Sequence, residues 1–266
     1  MKHEFEQIYS REMFKPSLIG LFINPFYFIR RGLYRGVVSN KRYMTGRLLD
    51  FGCGSKPYKD LFDVEEYVGL DIEESGHSHQ NEQVDIFYDG KTIPFDDNHF
   101  DSIFSSEVFE HIFNLERVLS EIYRVIKPGG HLLISVPFVW EEHEIPHDFA
   151  RYTTFGIDHL VTKTGFEVIE IQKTTTYLET VFQLWNAYIW HHIPSNRLTS
   201  LLMTALFIAP VTLCGLCISK VLPANSNLFH NSIVVARKPP GGIGFQAAVA
   251  DLSVESNQEL NSFVIH

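Results

Sequence analysis

The sequence predicts an α/β fold: a doubly wound, mainly parallel sheet of seven strands, with an apolar helical insertion before the last strand. Two observations carry this prediction. Strand-like runs alternate with segments of helical periodicity. A long uncharged stretch then separates the sixth run from the seventh. The predicted strands are residues 47–51, 67–72, 84–88, 100–105, 131–137, 166–171 and 232–236.

Two segments between the strands carry clear helix signals. In NLERVLSEIYRVIKPGG, residues 114–130, apolar residues recur at helical spacing and the KPGG sequence ends the helix. In TTFGIDHLVTKTGF, residues 153–166, a threonine caps the start and Gly165 follows the end. Both segments stand where the crossover helices of a parallel sheet are expected.

Composition and charge exclude several classes of protein. Of the 266 residues, 45% are hydrophobic and 20% charged, which is typical of a globular protein with a sizeable core. The net charge of -10 argues against a general nucleic-acid-binding protein, because phosphate contacts need a basic face. Three cysteines without a disulfide framework fit a reducing compartment. The N-terminus, MKHEFEQIYSREMF, is too polar for a signal peptide, so we expect a cytoplasmic protein.

The stretch LLDFGCGSKPY, residues 48–58, leads from a buried strand into two glycines and the expected start of a helix. Glycines there expose backbone N–H groups and a helix dipole to a ligand, although two glycines also fit an ordinary tight turn. Asp71 ends the second strand, where a carboxylate binds the hydroxyls of a ribose. Pro57 stands where the NAD-binding motif has its third glycine, so a nucleoside without a pyrophosphate fits better.

A third acidic residue, Asp89, forms a turn with Gly90 after the third strand, where it either accepts a hydrogen bond from an exocyclic amine or caps the turn. With acidic residues at the ends of three consecutive strands, the sequence resembles the class I S-adenosylmethionine-dependent methyltransferases, in their small-molecule type 11 branch. The resemblance covers residues 47 to 172, in the segments LLDFGCG, VGLDI, DGKTIPFDDNHFDSIFSSEVFEHI, EIYRVIKPGGHLLISVPF and HEIPHDFARYTTFGIDHLVTKTGFEV.

This resemblance implies a Rossmann-like methyltransferase fold with S-adenosylmethionine as the cofactor. The cofactor-binding residues that it implies are Asp50, Gly52, Gly54, Asp71, Asp89, Gly90 and Ser106. The first three would surround the amino-acid end of the cofactor, the next would bind the ribose, and the turn after the third strand would bind the adenine. Ser106 would lie near the sulfonium. The segment SSEVFEH stands where enzymes that methylate DNA bases carry an NPPY-like turn, so DNA is not expected as the acceptor.

The stretch PFVWEEHEIPHDFARYT, residues 137–153, is dense in titratable groups and is the expected acceptor side. An oxygen acceptor must lose a proton, and histidine can accept it near neutral pH. We therefore predict His143 as the general base, His147 as the second choice, and Asp148 and Arg151 as acceptor-binding residues. It stays open whether a base is used at all, since orientation alone supplies much of the acceleration.

The same stretch also contains two histidines at a spacing found in metal sites. His143 and His147 have the four-residue spacing of paired zinc ligands, but Pro146 lies between them and argues against a regular helix that would align both side chains. No metal ligand is therefore predicted. Glu107 and His111, in the preceding segment, receive no chemical role.

Two apolar segments are not required by a methyltransferase domain. Residues 198–219 contain no charge and exceed the roughly 18 residues that make a membrane-spanning candidate. A single crossing would leave the last strand on the wrong side of the bilayer, and Pro210 interrupts the run, so we expect a shallow helical hairpin in one leaflet. The second run, residues 17–29, precedes a group of basic residues with no acidic residue among them: Arg30, Arg31, Arg35, Lys41, Arg42 and Arg47.

These segments predict monotopic or peripheral binding to the inner face of a membrane, because basic residues beside an apolar surface are attracted to anionic lipid. Two alternatives are that the segments pack together as a cap over the active site, or that they form a homodimer interface. The expected organisation is an N-terminal apolar and basic segment at 1–42, a methyltransferase domain at 43–238 with the helical insertion at about 174–229, and a flexible tail at 239–266.

The predicted function is methyl transfer from S-adenosylmethionine to a small or lipid-linked acceptor, with oxygen as the preferred acceptor atom. A membrane surface is a predicted partner, and no nucleic-acid partner is expected. Two alternatives from other classes are a non-catalytic adenosyl-binding or membrane-scaffold protein and a nicotinamide-dependent oxidoreductase. Pro57 and the lack of a second catalytic domain disfavour the oxidoreductase.

Overall fold

A sheet of seven strands forms the centre of the protein in the computed structural model, which describes residues 2–73 and 83–241. The order across the sheet is β3-β2-β1-β4-β5-β7-β6, and β7 runs antiparallel to both of its neighbours. This confirms the predicted α/β sheet. The strands are β1 (Arg47–Phe51), β2 (Glu66–Ile72), β3 (Ile86–Tyr88), β4 (Phe100–Ser106), β5 (Ile126–Pro137), β6 (Glu167–Lys173) and β7 (Asn231–Arg237).

Seven helices surround or extend this sheet among the described residues: α1 (Lys2–Phe14), α2 (Gly20–Ile23), α3 (Tyr27–Asn40), α4 (Leu115–Val125), α5 (Thr154–Lys163), α6 (Tyr177–Trp190) and α7 (Arg197–Val221). The two helices predicted from periodicity are α4 and α5. Asn114 caps α4 by accepting a hydrogen bond from the Arg117 N–H, and Thr153 caps α5 through the Gly156 N–H.

The helix α4 ends before the KPGG sequence, as predicted, and KPGG itself lies inside β5, because its backbone pairs with the residue that follows β7. Gly129 N–H donates to the Lys238 carbonyl at 2.7 Å, and Lys238 N–H donates to the Gly130 carbonyl at 3.0 Å. These bonds extend the strand back to Ile126, directly after α4.

The two faces of the sheet bury separate apolar cores. Residues of α4 and α5, including Leu119, Ile122 and Ile157, pack on one face. On the other face, Leu33 and Val37 of α3 pack against the sheet. Although α3 lies within the predicted N-terminal segment, it contributes to the apolar core on this face of the sheet. The proposed domain boundaries stay a prediction, and the predicted tail from residue 242 onward lies outside the described residues.

The uncharged run forms a single helix, α7, and the prediction that Pro210 splits it into a hairpin is wrong. A π-helical turn, Thr204–Ile208, precedes the proline, and the α-helix resumes at Ala209. A wider turn accommodates the ring and the missing N–H of proline without breaking the helix. The helix pairs instead with α6, to which it is joined by a hydrogen bond from the Asn186 side chain to Thr212 Oγ1.

The two apolar segments of the sequence pack together. The Gln183 side chain of α6 donates to the Pro25 carbonyl at 2.9 Å and accepts from the Phe28 N–H at 3.1 Å. A Cβ added at Gly215 of α7 would lie within 3 Å of side-chain atoms of Phe182 and Phe28. We call α2, α6 and α7 the apolar layer. Its outer surface exposes Leu18, Ile19, Phe22, Val181, Leu184, Trp185, Tyr188, Leu198, Leu202, Leu206, Phe207 and Leu213.

The basic residues that follow the first apolar segment do not form one surface. Arg30 lines an internal cavity and lies over the Phe14 ring, Arg31 pairs with Glu179 at 3.4 Å, and Arg47 pairs with Glu66. Three of the six basic residues are therefore engaged within the protein. Charge gives less support to membrane binding than the sequence implied.

Candidate active site

A cavity of about 750 Å³ opens at the carboxyl ends of β1 and β4. These adjacent strands connect in opposite directions across the sheet, which is where open α/β sheets bind ligands. The volume lies within the roughly 300–1,000 Å³ of small-molecule sites. Seven predicted site residues line it: Asp50, Gly52, Gly54, Asp71, Ser106, His143 and His147. Within the described chain, four others do not belong to its lining: Asp89, Gly90, Asp148 and Arg151.

The two glycines after β1 have different roles. Both have positive φ, +72° at Gly52 and +46° at Gly54. A Cβ at Gly52 would lie 2.4 Å from Val108 Cγ2, so close packing requires glycine there. At Gly54, a Cβ would meet no heavy atom of the described chain within 4 Å. Gly54 therefore leaves the cavity open beside the backbone, so that a ligand can approach it closely.

The amides of this loop are bonded within the protein. The N–H groups of Gly52 and Cys53 donate to the Leu70 carbonyl at 2.8 and 3.1 Å, and the Gly54 N–H donates to Asp71 Oδ2 at 2.8 Å. Within residues 47–73, the only helix after β1 is the three-residue 3₁₀ turn Lys59–Leu61. The expected helix dipole is thus absent from this loop, and that prediction is wrong. The carboxylates at the strand ends are left as the polar groups for a ligand.

Asp50 is a buried carboxyl at the end of β1, only 3% exposed. It accepts a hydrogen bond from the Tyr67 hydroxyl. Burial raises the pKa of Asp50 to about 7, and the Tyr67 hydrogen bond and Lys56 partly oppose the rise. The carboxyl is therefore close to half ionised at neutral pH. A cation bound beside it would favour the ionised form.

Asp71 is fixed at the end of β2. Besides accepting from Gly54, its carboxylate accepts the Ile72 N–H at 2.8 Å through Oδ1. It is 8% exposed and lines the same cavity as Asp50. Two of the three predicted strand-end carboxylates thus line one cavity, and their roles at the amino-acid and ribose ends of the cofactor stay a prediction.

Asp89 caps its turn. Its Oδ1 accepts the N–H groups of Lys91 at 2.9 Å and Thr92 at 3.1 Å, and these bonds lower the pKa of the exposed carboxylate. Residues 74–82, which lead into this part of the chain, lie outside the described residues. Adenine binding by Asp89 and Gly90 stays a prediction.

The segment after β4 adds Glu107 to the cavity wall, a residue for which no chemical role was predicted. Glu107 lies at the cavity wall with φ +57°; its Oε1 accepts from the Ser135 hydroxyl at 2.8 Å and its Oε2 from the Asn231 amide at 2.6 Å. Ser106 Oγ is 2.9 Å from Ser135 Oγ. Burial raises the pKa of Glu107. Its place directly after the fourth strand, next to Ser106, is the signal that could have identified it.

The loop after β5 forms the remaining wall. His143 and His147 both line the cavity, as predicted. Arg151 Nη1 and Nη2 bind the two oxygens of Asp148 at 2.6 and 2.7 Å, and Asp148 Oδ2 also accepts the His143 N–H at 2.9 Å. Arg151 lowers the pKa of Asp148 to about 2. This pair organises the loop, and a direct role for it in acceptor binding stays a prediction.

The charged lining of the cavity is predominantly acidic. One guanidinium, that of Arg30, faces five carboxyl groups: Asp50, Asp71, Glu107, Glu141 and Glu144. S-adenosylmethionine carries a sulfonium and an ammonium at one end and ribose hydroxyls in the middle. The buried acidic strand ends and the open backbone at Gly54 fit both parts of that ligand.

Comparison with known proteins agrees with this geometry. A family model described as "Methyltransferase domain", of the type 11 family, matches residues 49–134. A probable S-adenosylmethionine-dependent methyltransferase of Mycolicibacterium smegmatis is 33% identical over 136 residues, covering 49% of this chain and 51% of that protein. A sterol 24-C-methyltransferase of Pneumocystis carinii is 34% identical over 103 residues, covering 32% of this chain and 26% of that protein.

This chain thus spans about half, or less, of the length of these curated relatives. Among solved structures, the [4+2]-cyclase SpnF is similar with a TM-score of 0.50 and 20% identity, covering 78% of this chain and 81% of that one. That likeness shows the fold alone. Residues 49–134, which include the strand ends that form the cavity, thus match the type 11 methyltransferase domain, and the similarity to a probable S-adenosylmethionine-dependent methyltransferase supports S-adenosylmethionine as the cofactor.

Proposed function

We propose that the chain transfers the methyl group of S-adenosylmethionine to a small, lipid-linked acceptor taken from a membrane surface. The observation that carries methyl transfer is the single cavity in which Asp50, Asp71 and Gly54 meet the acidic wall beyond β4. The bound cofactor supplies an electrophilic methyl group on its sulfonium. The protein's task is then to hold an acceptor in line with that methyl group and to accept the proton that the acceptor loses.

The groups around the cavity divide this task. Asp50 binds the cationic amino-acid end, and Asp71 binds the ribose. The loop after β5 lies on the acceptor side, where His143 is the first candidate to receive a proton from a hydroxyl acceptor and His147 the second. His143 Nδ1 lies 3.2 Å from the Glu141 carbonyl, 3.3 Å from Asp148 Oδ2 and 3.4 Å from Arg151 Nη2, so this nitrogen has both acceptors and a donor around it.

The lipid-linked part of the proposal rests on what covers the cavity. Residues of α1 and α3, including Phe14, Ile29 and Leu33, form part of its wall together with Phe26, which lies between α2 and α3. The Phe26 ring packs edge-on against Trp140 of the cavity wall and Trp190 of α6, with centroids 5.7 and 6.0 Å apart. The cavity therefore adjoins the apolar layer through aromatic side chains. The similar sterol 24-C-methyltransferase, by its name, acts on a lipid at carbon, so a lipid acceptor has a precedent and oxygen is our own choice of acceptor atom.

The membrane part of the proposal rests on α7. This helix of 25 residues is long and apolar enough to cross a membrane, yet only 28% of its most apolar stretch is buried. Leu198, Leu202 and Leu206, on successive turns, are all more than half exposed. Since β7 follows α7 and belongs to the sheet, we propose that the apolar layer lies flat on the inner face of a bilayer rather than crossing it.

One experiment tests the reaction. The protein and methyl-labelled S-adenosylmethionine are incubated together in two reactions, one with a lipid extract of cells and one with a polar extract. We expect label in the lipid fraction, whereas label confined to the polar fraction would contradict the lipid-linked acceptor. Calorimetric titrations with S-adenosylhomocysteine and with NADH run beside it. Binding of NADH alone would favour the oxidoreductase, and cofactor binding without any labelled product would favour the non-catalytic alternative.

A second experiment tests whether the apolar layer binds a membrane. The chain is co-sedimented with anionic and with neutral liposomes, beside the double variant Leu202→Glu/Leu206→Glu. Phe155→Glu is the matched control, because Phe155 is 84% exposed on α5, outside the apolar layer. We expect the control to bind like the wild type and the double variant to stay in the supernatant. Analytical ultracentrifugation without lipid tests the alternative, in which the layer joins two copies.

A further inference from the structure

Three potential ligand groups converge at the acceptor end of the cavity. One carboxylate oxygen of Glu110, one ring nitrogen of His111 and one ring nitrogen of His143 all lie within 4.8 Å of one another. The Glu110 Oε1 is 3.8 Å from His111 Nε2, and the two imidazole rings meet edge to face with centroids 4.8 Å apart. His111 and His143 both line the cavity.

Glu110 is the most unusual member of this cluster. Its side chain is about 1% exposed, and neither carboxylate oxygen has a hydrogen-bond partner among the residues that the structure describes. A buried carboxyl without partners costs several kcal/mol, and such a group points to a missing ligand, water or ion. The group next to it on the open side is His111, so a cation that bound both would also satisfy the carboxylate.

The histidines are held in the way that metal-binding histidines are held. His111 Nδ1 lies 2.8 Å from the His147 carbonyl, which can only accept, so Nδ1 carries the proton and Nε2 keeps its lone pair. This Nε2 lies 3.8 Å from Glu110 Oε1 and 3.7 Å from Glu144 Oε2. His143 Nδ1 has two oxygen neighbours, the Glu141 carbonyl and the Asp148 carboxylate, and Arg151 Nη2 lies 3.4 Å from it. In metal sites, the second ring nitrogen is usually bonded to a carbonyl or a carboxylate in this manner, which fixes the tautomer and the ring orientation.

We infer that Glu110, His111 and His143 form a site for one divalent first-row transition-metal ion. Two imidazoles and one carboxylate are a ligand set that suits zinc, iron or cobalt. Ligands about 2.1 Å from a common ion are roughly 3.4 Å apart in a tetrahedral arrangement, so the separations between the three groups must shorten by up to about 1.4 Å. Rotation of the His143 side chain, which is 32% exposed, allows this closure.

The site also bears on the acceptor. Because three protein ligands leave at least one position open toward the cavity, an oxygen of the acceptor would bind there as the fourth ligand. With His143 bound to the metal, His147 would take its place as the candidate base. The metal would lower the pKa of a bound hydroxyl, whose proton leaves to His147 or to solvent. The oxygen then forms a bond to the methyl carbon as the carbon–sulfur bond breaks, and S-adenosylhomocysteine leaves with that electron pair. This consequence rests on the proposed methyl transfer, whereas metal binding does not.

Metal binding is measured on the full chain without cofactor or acceptor. The protein is stripped with a chelator and titrated with Zn²⁺ by calorimetry and with Co²⁺ by visible d–d absorption. We expect one ion per chain and a cobalt spectrum typical of nitrogen and oxygen ligands. The variants His111→Ala, His143→Ala and Glu110→Gln should each weaken binding at least tenfold. His147→Ala is the matched control, since it lines the same cavity but contributes only its backbone carbonyl, which alanine retains.

Far-UV circular dichroism establishes that each variant is folded, and Zn²⁺ should raise the melting temperature of the wild type and of His147→Ala only. No binding to the wild type, or equal binding to all variants, overturns the site. Loss of binding in His147→Ala alone would place the ion elsewhere and also overturns it. Normal metal binding without any methyl transfer would refute the proposed function and leave this site intact.

Discussion

Asp50 allows the sharpest prediction, because the same carboxyl is expected to destabilise the fold and to bind the cofactor. Burial raises its pKa from 3.8 to about 7 in the folded protein. An aspartate in the unfolded chain keeps its ordinary value, so between pH 3.8 and 7 the folded state holds a proton that the unfolded state has released. Stability attributable to Asp50 therefore falls as the pH rises through this range, and the loss is complete above pH 7.

The magnitude follows from the two pKa values. Each pH unit between them corresponds to 1.36 kcal/mol, so the full loss is about 4 kcal/mol above pH 7, of which about 2.5 kcal/mol develops between pH 5 and pH 8. The substitution Asp50→Asn replaces the carboxyl with a neutral group of the same shape that still accepts from the Tyr67 hydroxyl. The variant should thus be more stable than the wild type at pH 8, by up to about 4 kcal/mol.

Urea unfolding at pH 5 and pH 8 measures this difference. We expect the free energy of unfolding of the wild type to drop by about 2.5 kcal/mol more than that of Asp50→Asn between the two values. Calorimetry at pH 8 should show the opposite effect on function: S-adenosylhomocysteine should bind Asp50→Asn roughly 10- to 100-fold more weakly, because a charged partner of its ammonium is lost. Parallel pH profiles of the two proteins, or unchanged affinity, would refute the reasoning.

Three further predictions concern groups around the same cavity. Gly54→Val should cost about 1–2 kcal/mol of stability, since valine is strained at φ +46°, and should abolish cofactor binding in calorimetry, because its side chain stands in the open space beside the backbone. His230 is buried, and burial lowers its pKa to about 4, so the free energy of unfolding should fall by up to about 3 kcal/mol as the pH drops from 6.5 to 4. In urea titrations, the stabilities of the wild type and of His230→Asn should diverge only in that pH range. Arg151→Ala should lower the free energy of unfolding by about 3 kcal/mol, because it leaves the Asp148 carboxylate, whose side chain is 3% exposed, without its ion-pair partner. The double variant Arg151→Ala/Asp148→Asn should recover part of that loss in thermal unfolding.

The sheet could be predicted from the sequence because its signals are local. Each strand is a short apolar run, and the positions of Gly52 and Asp71 at strand ends follow from the alternation of strands and connections. The bonding of the glycine-loop amides could not be predicted in this way. It depends on how the carbonyl of Leu70, on the neighbouring strand, lies across from the loop, which is a matter of three-dimensional register.

Pro210 shows a second limit of local reasoning. A proline in mid-helix removes one hydrogen bond and usually bends or ends the helix. Here a π-helical turn at Thr204–Ile208 accommodates it, and contacts with α6 hold the rest of α7 in place. Helix termination is decided by this tertiary support, which is encoded partly in Asn186; this residue lies 24 residues before the proline, and its side chain donates to Thr212 Oγ1.

The acceptor side was the least predictable part of the site, and Glu110 shows why. In the sequence, Glu110 and His111 are two polar residues without a predicted role, and His143 stands 32 residues after His111, at four-residue spacing from His147. In the fold, the two histidines make different contacts. The His147 backbone carbonyl bonds to the His111 ring, while a ring nitrogen of His143 lies within 4.8 Å of ligand atoms of His111 and Glu110. A grouping of this kind follows from the loop after β5 closing over the end of β4. Sequence spacing within either segment therefore carries no information about it, whereas an unpartnered buried carboxyl identifies it at once.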